Sequence, residues 1–239
     1  RVLFRSVTFD GAEALAGDGL GAFVAGFGAN GTPAWLRQFP GTVSDLITTK
    51  SGSLRFAGTF PQKISFGDEL LLESTNTPTS FFLIKADAVG TNVWGRFIEP
   101  TKGFLDGMKL ASDSKSATYA AGTANGLLKF WEVQVVVPTD PGTGGDPGSG
   151  DPGTGDPGAG GITFSNVLSS KLTISNGPSV FLSKYDPNGK FLWATNTPLE
   201  GAIVTGAAAD GSGGVLLAGN AGNGMFVARF DTNGVPLWQ

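Results

Sequence analysis

The chain contains no cysteine and no histidine. Without cysteine there is no disulfide and no thiolate metal site. Without either residue, Ser-His-Asp and Cys-His catalysis and most zinc chemistry cannot be assembled within it. Charge is also scarce, at 15% of residues, and the net charge of −4 has one source. Residues 138–161 carry Asp140, Asp146, Asp151 and Asp156 and no base, so the remainder has 16 acidic and 16 basic residues. A neutral chain without a basic patch has nothing to attract nucleic acid. No apolar run reaches the ~18 residues that a membrane helix needs. Apolar residues at helical spacing are missing over any three turns. The chain opens at Arg1 without a recognisable signal peptide, and is expected to be a fragment or processed piece of an exported protein.

What is abundant is glycine, with 38 residues, and a repeated hairpin. FLSKYDPNGKFLW (181–193) recurs as FVARFDTNGVPLW (226–238) and FLIKADAVGTNVW (82–94), with a worn copy, FVAGFGANGTPAW, at 23–35. In every copy Phe and Trp are 12 positions apart and a glycine lies four before the Trp. Repetition at fixed internal spacing marks a repeat architecture. Alternation along Phe181–Tyr185 predicts a strand, and Asp186-Pro187-Asn188-Gly189 a tight turn whose Asn-Gly tolerates positive φ. Lys85, Lys184 and Arg229 each lie two residues before Asp87, Asp186 or Asp231. That spacing puts both charges on one side of the strand and predicts an exposed pair; in the worn copy Gly26 and Gly28 replace both.

Each hairpin follows a second element: Ala14-Leu15-Ala16-Gly17, Arg55-Phe56-Ala57-Gly58, Tyr119-Ala120-Ala121-Gly122 or Leu217-Ala218-Gly219. A turn and a short strand precede each of these. The expectation is therefore an all-β chain of four-stranded antiparallel units, the blades of a β-propeller or part of one, with about four blades. Val2-Leu3-Phe4 reads as a spare strand that could complete the last blade if the ring closes.

The pattern F-[VL]-x-[KR]-[YFA]-D-x-[NV]-G-x-x-x-W, the Ala-Gly strand end and Ile64-Ser65-Phe66-Gly67, echoed by Ile162-Thr163-Phe164-Ser165, resemble the SBBP β-propeller repeats of bacterial secreted and surface proteins. The resemblance covers most of the chain outside 124–161. It implies a propeller fold and an extracellular or cell-surface location, with any anchor in a region missing from this fragment.

The division expected is 1–123 for blades 1 to 3 (first part), 124–161 for an insertion, and 162–239 for the rest of blade 3 and blade 4. Within the insertion, 138–161 repeats Asp-Pro-Gly four times and has nothing to bury, so it reads as a flexible tract. Either it tips a long hairpin with arms 127–137 and 162–174, or it links two arrays.

Candidate sites are few. Gly26-Phe27-Gly28-Ala29-Asn30-Gly31 matches G-x-G-x-x-G but falls on a hairpin turn, with Thr-Pro-Ala-Trp where a nucleotide site needs a helix. Asp87, Asp186 and Asp231 are expected to stabilise turns; the competing reading, there and in 138–161, is weak calcium binding, and no other cofactor or metal is expected. Trp35, Trp94, Trp193 and Trp238 are expected to pack between blades rather than to stack on sugars. Phe130 and Trp131 lie outside the repeat and are the candidate exposed contact patch. No catalytic residue suggests itself. The function expected is a non-catalytic binding or structural scaffold with a protein or glycan ligand. Its alternatives are a carbohydrate-binding lectin and a carboxylate- or calcium-dependent lyase or glycosidase.

Overall fold

A computed structural model describes residues 21–49, 51–66, 70–74, 79–136 and 163–239. The spare strand at 2–4, the element at 14–17 and the tract at 138–161 lie outside the described residues. The described chain is all strand and turn, with fifteen strands: β1 Gly21–Phe27, β2 Pro33–Pro40, β3 Thr42–Thr48, β4 Leu54–Phe60, β5 Lys63–Ser65, β6 Leu71–Glu73, β7 Ser80–Ala86, β8 Asn92–Ser112, β9 Thr118–Val136, β10 Thr163–Tyr185, β11 Phe191–Glu200, β12 Ala202–Ala209, β13 Val215–Ala221, β14 Gly224–Phe230 and β15 Pro236–Trp238. All pairings are antiparallel. They form a β1-β2 ribbon, a seven-stranded sheet in the order β11-β10-β9-β8-β7-β4-β3, a four-stranded sheet β12-β13-β14-β15 and a small β5-β6 ribbon. Among the described residues no closed barrel or propeller ring is found.

The fourth unit, β12 to β15, is the four-stranded meander that the repeat predicts. The second and third units differ from that expectation, because β8, β9 and β10 run unbroken from one into the other. The second unit is β3, β4, β7 and the first half of β8; the third is the second half of β8, the first half of β9, the second half of β10 and β11. The remaining halves of β9 and β10 form a long hairpin that extends the second unit: Arg96 to Thr101 of β8 lie opposite Glu132 to Leu127. Its two arms pair from Thr173 opposite Leu127 out to Thr163 opposite Val136. The shared sheet bends sharply where it passes between units. Lys102 and Gly126 both take positive φ there (58° and 89°). A Cβ on Gly126 would stand 2.2 Å from the Lys102 carbonyl oxygen, so two backbones meet at a distance that only glycine allows. The bend brings the second half of β8 back over β3, where Asp45 Oδ2 accepts the Leu110 N–H at 2.7 Å.

Successive units therefore stack face to face, and alternate residues of each strand enter alternate apolar layers. Val24 and Phe39 of the first unit meet Phe56, Phe82 and Phe97 of the second. Leu83 and Trp94 of the second meet Met108, Leu110 and Phe181 of the third. Leu182 and Leu199 of the third meet Val204, Leu217 and Phe230 of the fourth.

The repeated hairpin explains how the stack is held. Asp186, Pro187, Asn188 and Gly189 form a turn in which the Gly189 N–H donates to the Asp186 carbonyl. Only the glycine takes positive φ (80°), so Asn188 does not need the conformation its pairing with glycine suggested; a register shift follows at Lys184/Tyr185. Gly90 and Gly234 repeat this geometry, with φ of 83° and 81°. Each of these glycines is buried, and what buries it is the tryptophan of the preceding unit. A Cβ on Gly90, Gly189 or Gly234 would lie 2.6, 2.5 or 2.7 Å from the ring of Trp35, Trp94 or Trp193.

The same indoles donate Nε1–H to the carbonyl of the residue after the turn's first position: Trp35 to Ala88 (3.3 Å), Trp94 to Pro187 (3.2 Å) and Trp193 to Thr232 (3.3 Å). The cross-strand lysine joins in, Lys85 Nζ donating to Pro187 O at 3.0 Å and Lys184 Nζ to Thr232 O at 3.3 Å. A second, inner set of contacts has the same sense. Arg55 of the second unit donates to Ser116 O in the third, and the Tyr119 hydroxyl of the third donates to Gly213 O in the fourth.

This geometry corrects the expected Lys–Asp pairs. Lys184 pairs with Asp113, in its own unit's first turn, at 3.8 Å, and Arg229 pairs with the equivalent Asp210 at 2.9 Å. The aspartates two residues on face inward to their own turns. In the worn copy the lysine position is closed for a steric reason. A Cβ on Gly26 would lie 2.3 Å from Trp35 Nε1, so the indole occupies the space that lysine takes elsewhere.

Candidate functional site

Phe130 and Trp131 do not form one exposed patch. Neighbouring residues of a strand point to opposite faces. Phe130 is 1% exposed and packs against Phe181 and Phe191 in the layer between the second and third units. Trp131 lies on the other face of β9, half-buried, and stacks on Phe97 with ring centroids 5.8 Å apart and planes at 9°.

Trp131 and Phe97 line a cleft of about 190 Å³ with Glu73, Glu99 and Asn166. Three elements meet there. Phe97 and Glu99 come from β8, Trp131 and Asn166 from the long hairpin, and Glu73 from β6. Asn166 Nδ2 donates to the Glu73 carbonyl at 2.8 Å, which ties the hairpin to β6.

Glu99 is 0% exposed. A buried carboxylate survives only when its charge and its lone pairs are matched. The Ser74 hydroxyl donates to Oε1 at 2.9 Å, Lys129 Nζ reaches Oε2 at 3.4 Å, and Trp131 Nε1 donates to Oε2 at 3.3 Å. Glu99 thus fixes the indole plane, while the exposed side chains of Glu73 and Asn166 edge the opening. The arrangement is a rigid aromatic wall beside a carboxylate and an amide, which suits the binding of a small polar molecule with one apolar face.

The aspartates of the turns serve their own backbone. Oδ1 of Asp87 accepts the N–H groups of Val89 and Thr91, Asp186 those of Asn188 and Lys190, and Asp231 those of Asn233 and Val235, all at 2.8–3.0 Å. Asp113 and Asp210 cap the inner turns in the same way. Burial pushes the Asp210 carboxyl up, but hydrogen bonds from Ser212, Arg229 and Gly214 outweigh it and bring it down to about 2. Among the described residues no group of three or more acidic side chains is placed to hold a metal ion. The tract at 138–161, the other place where calcium was considered, lies outside them. Among the described residues no helix is long and apolar enough to cross a membrane.

Sequence reasoning singled out Trp131 but missed Glu99. The available signal was a lone acid inside the apolar run Phe97-Ile98-Glu99-Pro100. No protein-family model matches the chain, and no curated protein matches it.

Proposed function

We propose that this chain is a non-catalytic scaffold of SBBP-like β-propeller blades, about four of them, that presents loops and inserted hairpins at a bacterial cell surface or outside the cell. One observation carries this reading: the seat of each tryptophan on the next unit's turn recurs three times with the same donor, the same acceptor position and the same glycine. Such a device stacks units rather than performing chemistry. The turn carboxylates, which an acid–base mechanism would need, are occupied by backbone N–H groups. Serial unfolding tests the reading. Stretching single molecules from their ends should give repeated, unit-sized steps, since each unit contacts mainly its neighbours. Rupture of the whole chain in a single event would contradict it.

A second reading, a carbohydrate-binding scaffold, is favoured by the Trp131 cleft specifically. An indole held by a buried carboxylate, with Glu73 and Asn166 at its rim, offers stacking for a sugar ring and acceptors and donors for its hydroxyls. A glycan array tests it: binding should be present in the wild type and lost in Trp131→Ala. Binding that survives the substitution, or none at all, would rule out this cleft as a lectin site.

A further inference from the structure

The dipeptide Asn-Gly lies in three of the repeated turns, at Asn30, Asn188 and Asn233, and stands at the bend of β9, at Asn125. Glycine has no Cβ, so its nitrogen is open to the side chain of the asparagine before it. In the repeated turns that nitrogen is held elsewhere. The N–H of Gly31 donates to the Gly28 carbonyl, that of Gly189 to Asp186 and that of Gly234 to Asp231, at 2.9–3.1 Å. Asn30 turns its Oδ1 to Thr32 instead.

At the bend the glycine faces its own neighbour's side chain: the Gly126 N–H donates to Asn125 Oδ1 at 2.8 Å. With a C=O bond of about 1.23 Å, the carbon bearing that oxygen lies within about 4 Å of the nitrogen. Bond formation starts from about 3–3.5 Å, so a small rotation of the side chain closes the gap. The ladder leaves room for it. Against β9, the register of β8 jumps from Thr101 opposite Leu127 to Phe104 opposite Asn125. That of β10 jumps from Ile174 opposite Gly126 to Ser179 opposite Ala124. Both neighbouring strands therefore loop out beside the same two residues. Lys102, Gly103, Ser175 and Asn176 in those loops are exposed, so water reaches the place. The backbone there is also strained: Lys102 has φ 58°, and Thr101 Oγ1 is buried with no hydrogen-bond partner among the described residues.

We propose that Asn125-Gly126 is a self-modification site, at which the folded chain deamidates faster than at the Asn-Gly pairs of its repeated turns. The Gly126 nitrogen gives its proton to solvent and bonds to Asn125 Cγ. The bond from Cγ to the side-chain nitrogen breaks, and that nitrogen leaves as ammonia after taking a proton back from solvent. Water then opens the five-membered ring. Breaking the bond from nitrogen to Cγ leaves aspartate at position 125; breaking the bond from nitrogen to the main-chain carbonyl carbon leaves isoaspartate. Overall one water is consumed and one ammonia released, and nothing is oxidised or reduced. Either product adds a negative charge, and isoaspartate adds a carbon to the backbone. The change falls where the merged sheet passes from the second unit to the third.

Incubating the native chain at mildly alkaline pH, with and without urea, tests this. After digestion in acid, mass spectrometry follows the conversion of amide to acid in each Asn-Gly peptide, and enzymatic methylation tells isoaspartate from aspartate. In the folded chain position 125 should convert at least about tenfold faster than positions 188 and 233, because its reacting atoms are already held together. Isoaspartate should be among its products. In urea the four pairs should converge, since the dipeptide is the same and only the fold separates them. Conversion of the folded chain at 125 no faster than at 188 and 233 would overturn the proposal. So would a preference for 125 that persists unchanged in urea, which would place its cause in the local sequence. Aspartate without isoaspartate would overturn it too, because direct hydrolysis of the side chain forms no ring.

Discussion

Trp94 and Trp238 hold the same place in their hairpins, yet one is 7% exposed and the other 48%. Each lies across from a cation, Lys85 or Arg229, after the same glycine turn. What separates them is the seat: Trp94 has the 186–189 turn to sit on, and among the described residues no turn lies under Trp238. The repeated residues are therefore not a self-contained core. Part of each unit's packing is supplied by its neighbour, as in a one-dimensional array.

The largest expected difference comes from truncating the two tryptophans. Trp94→Ala should cost ~3–5 kcal/mol, as removal of a large buried ring does. Trp238→Ala, measured in dilute monomer by urea unfolding, should stay within ~0.5 kcal/mol of the wild type. The two glycines sharpen the same contrast. Gly31→Ala should cost only the ~1–2 kcal/mol of placing a side chain in left-handed backbone. Gly189→Ala pays that and also drives a methyl into the Trp94 ring, so it should melt several degrees lower than Gly31→Ala in a thermal scan.

Lys85→Met tests the smaller partner of the seat. It leaves the indole in place and removes the hydrogen bond to Pro187, so a loss of ~0.5–1.5 kcal/mol is expected. At Asp210 the effect is smaller still and depends on pH. The folded carboxyl titrates near 2, below the ~3.9 of an unfolded aspartate. Between those values the unfolded chain binds the proton that the folded chain does not, so stability must fall as pH drops from about 4 towards 2. Asp210→Asn should show a shallower decline over that window. Solvent near Arg229 keeps the difference modest.

Much of the fold could be read from residue order. Alternation located β7 and β14, and the Asp-x-x-Gly spacing located the turns between their hairpin arms. The direction in which side chains reach was not readable. Lys184 and Asp186 share a side of the strand by spacing, but the carboxylate turns to two backbone N–H groups and the ammonium crosses to the next unit. The merged sheet was equally hidden. Its bend depends on Lys102 at positive φ, a residue with no preference for that conformation, and on Gly126 approaching the Lys102 carbonyl, which becomes apparent only when β8 and β9 are paired. The candidate cleft was half legible. Trp131 stood out as a tryptophan outside the repeat, but Phe130 beside it was assigned to the wrong face, because an aromatic pair in one strand looks like a patch until register places its members on opposite sides. Glu99 stood out only as a lone acid in an apolar run; its role follows from Ser74, Lys129 and Trp131 converging from separate segments.

Indole N–H exchange, followed by NMR in dilute monomer, addresses the seated tryptophans individually. The Nε1–H groups of Trp35, Trp94 and Trp193, donated across unit interfaces, should exchange slowly, as should that of Trp131 on Glu99, while Trp238 should exchange at the rate of a free indole. Exchange at Trp94 as fast as at Trp238 would contradict the account, because the stack would then not rest on these contacts.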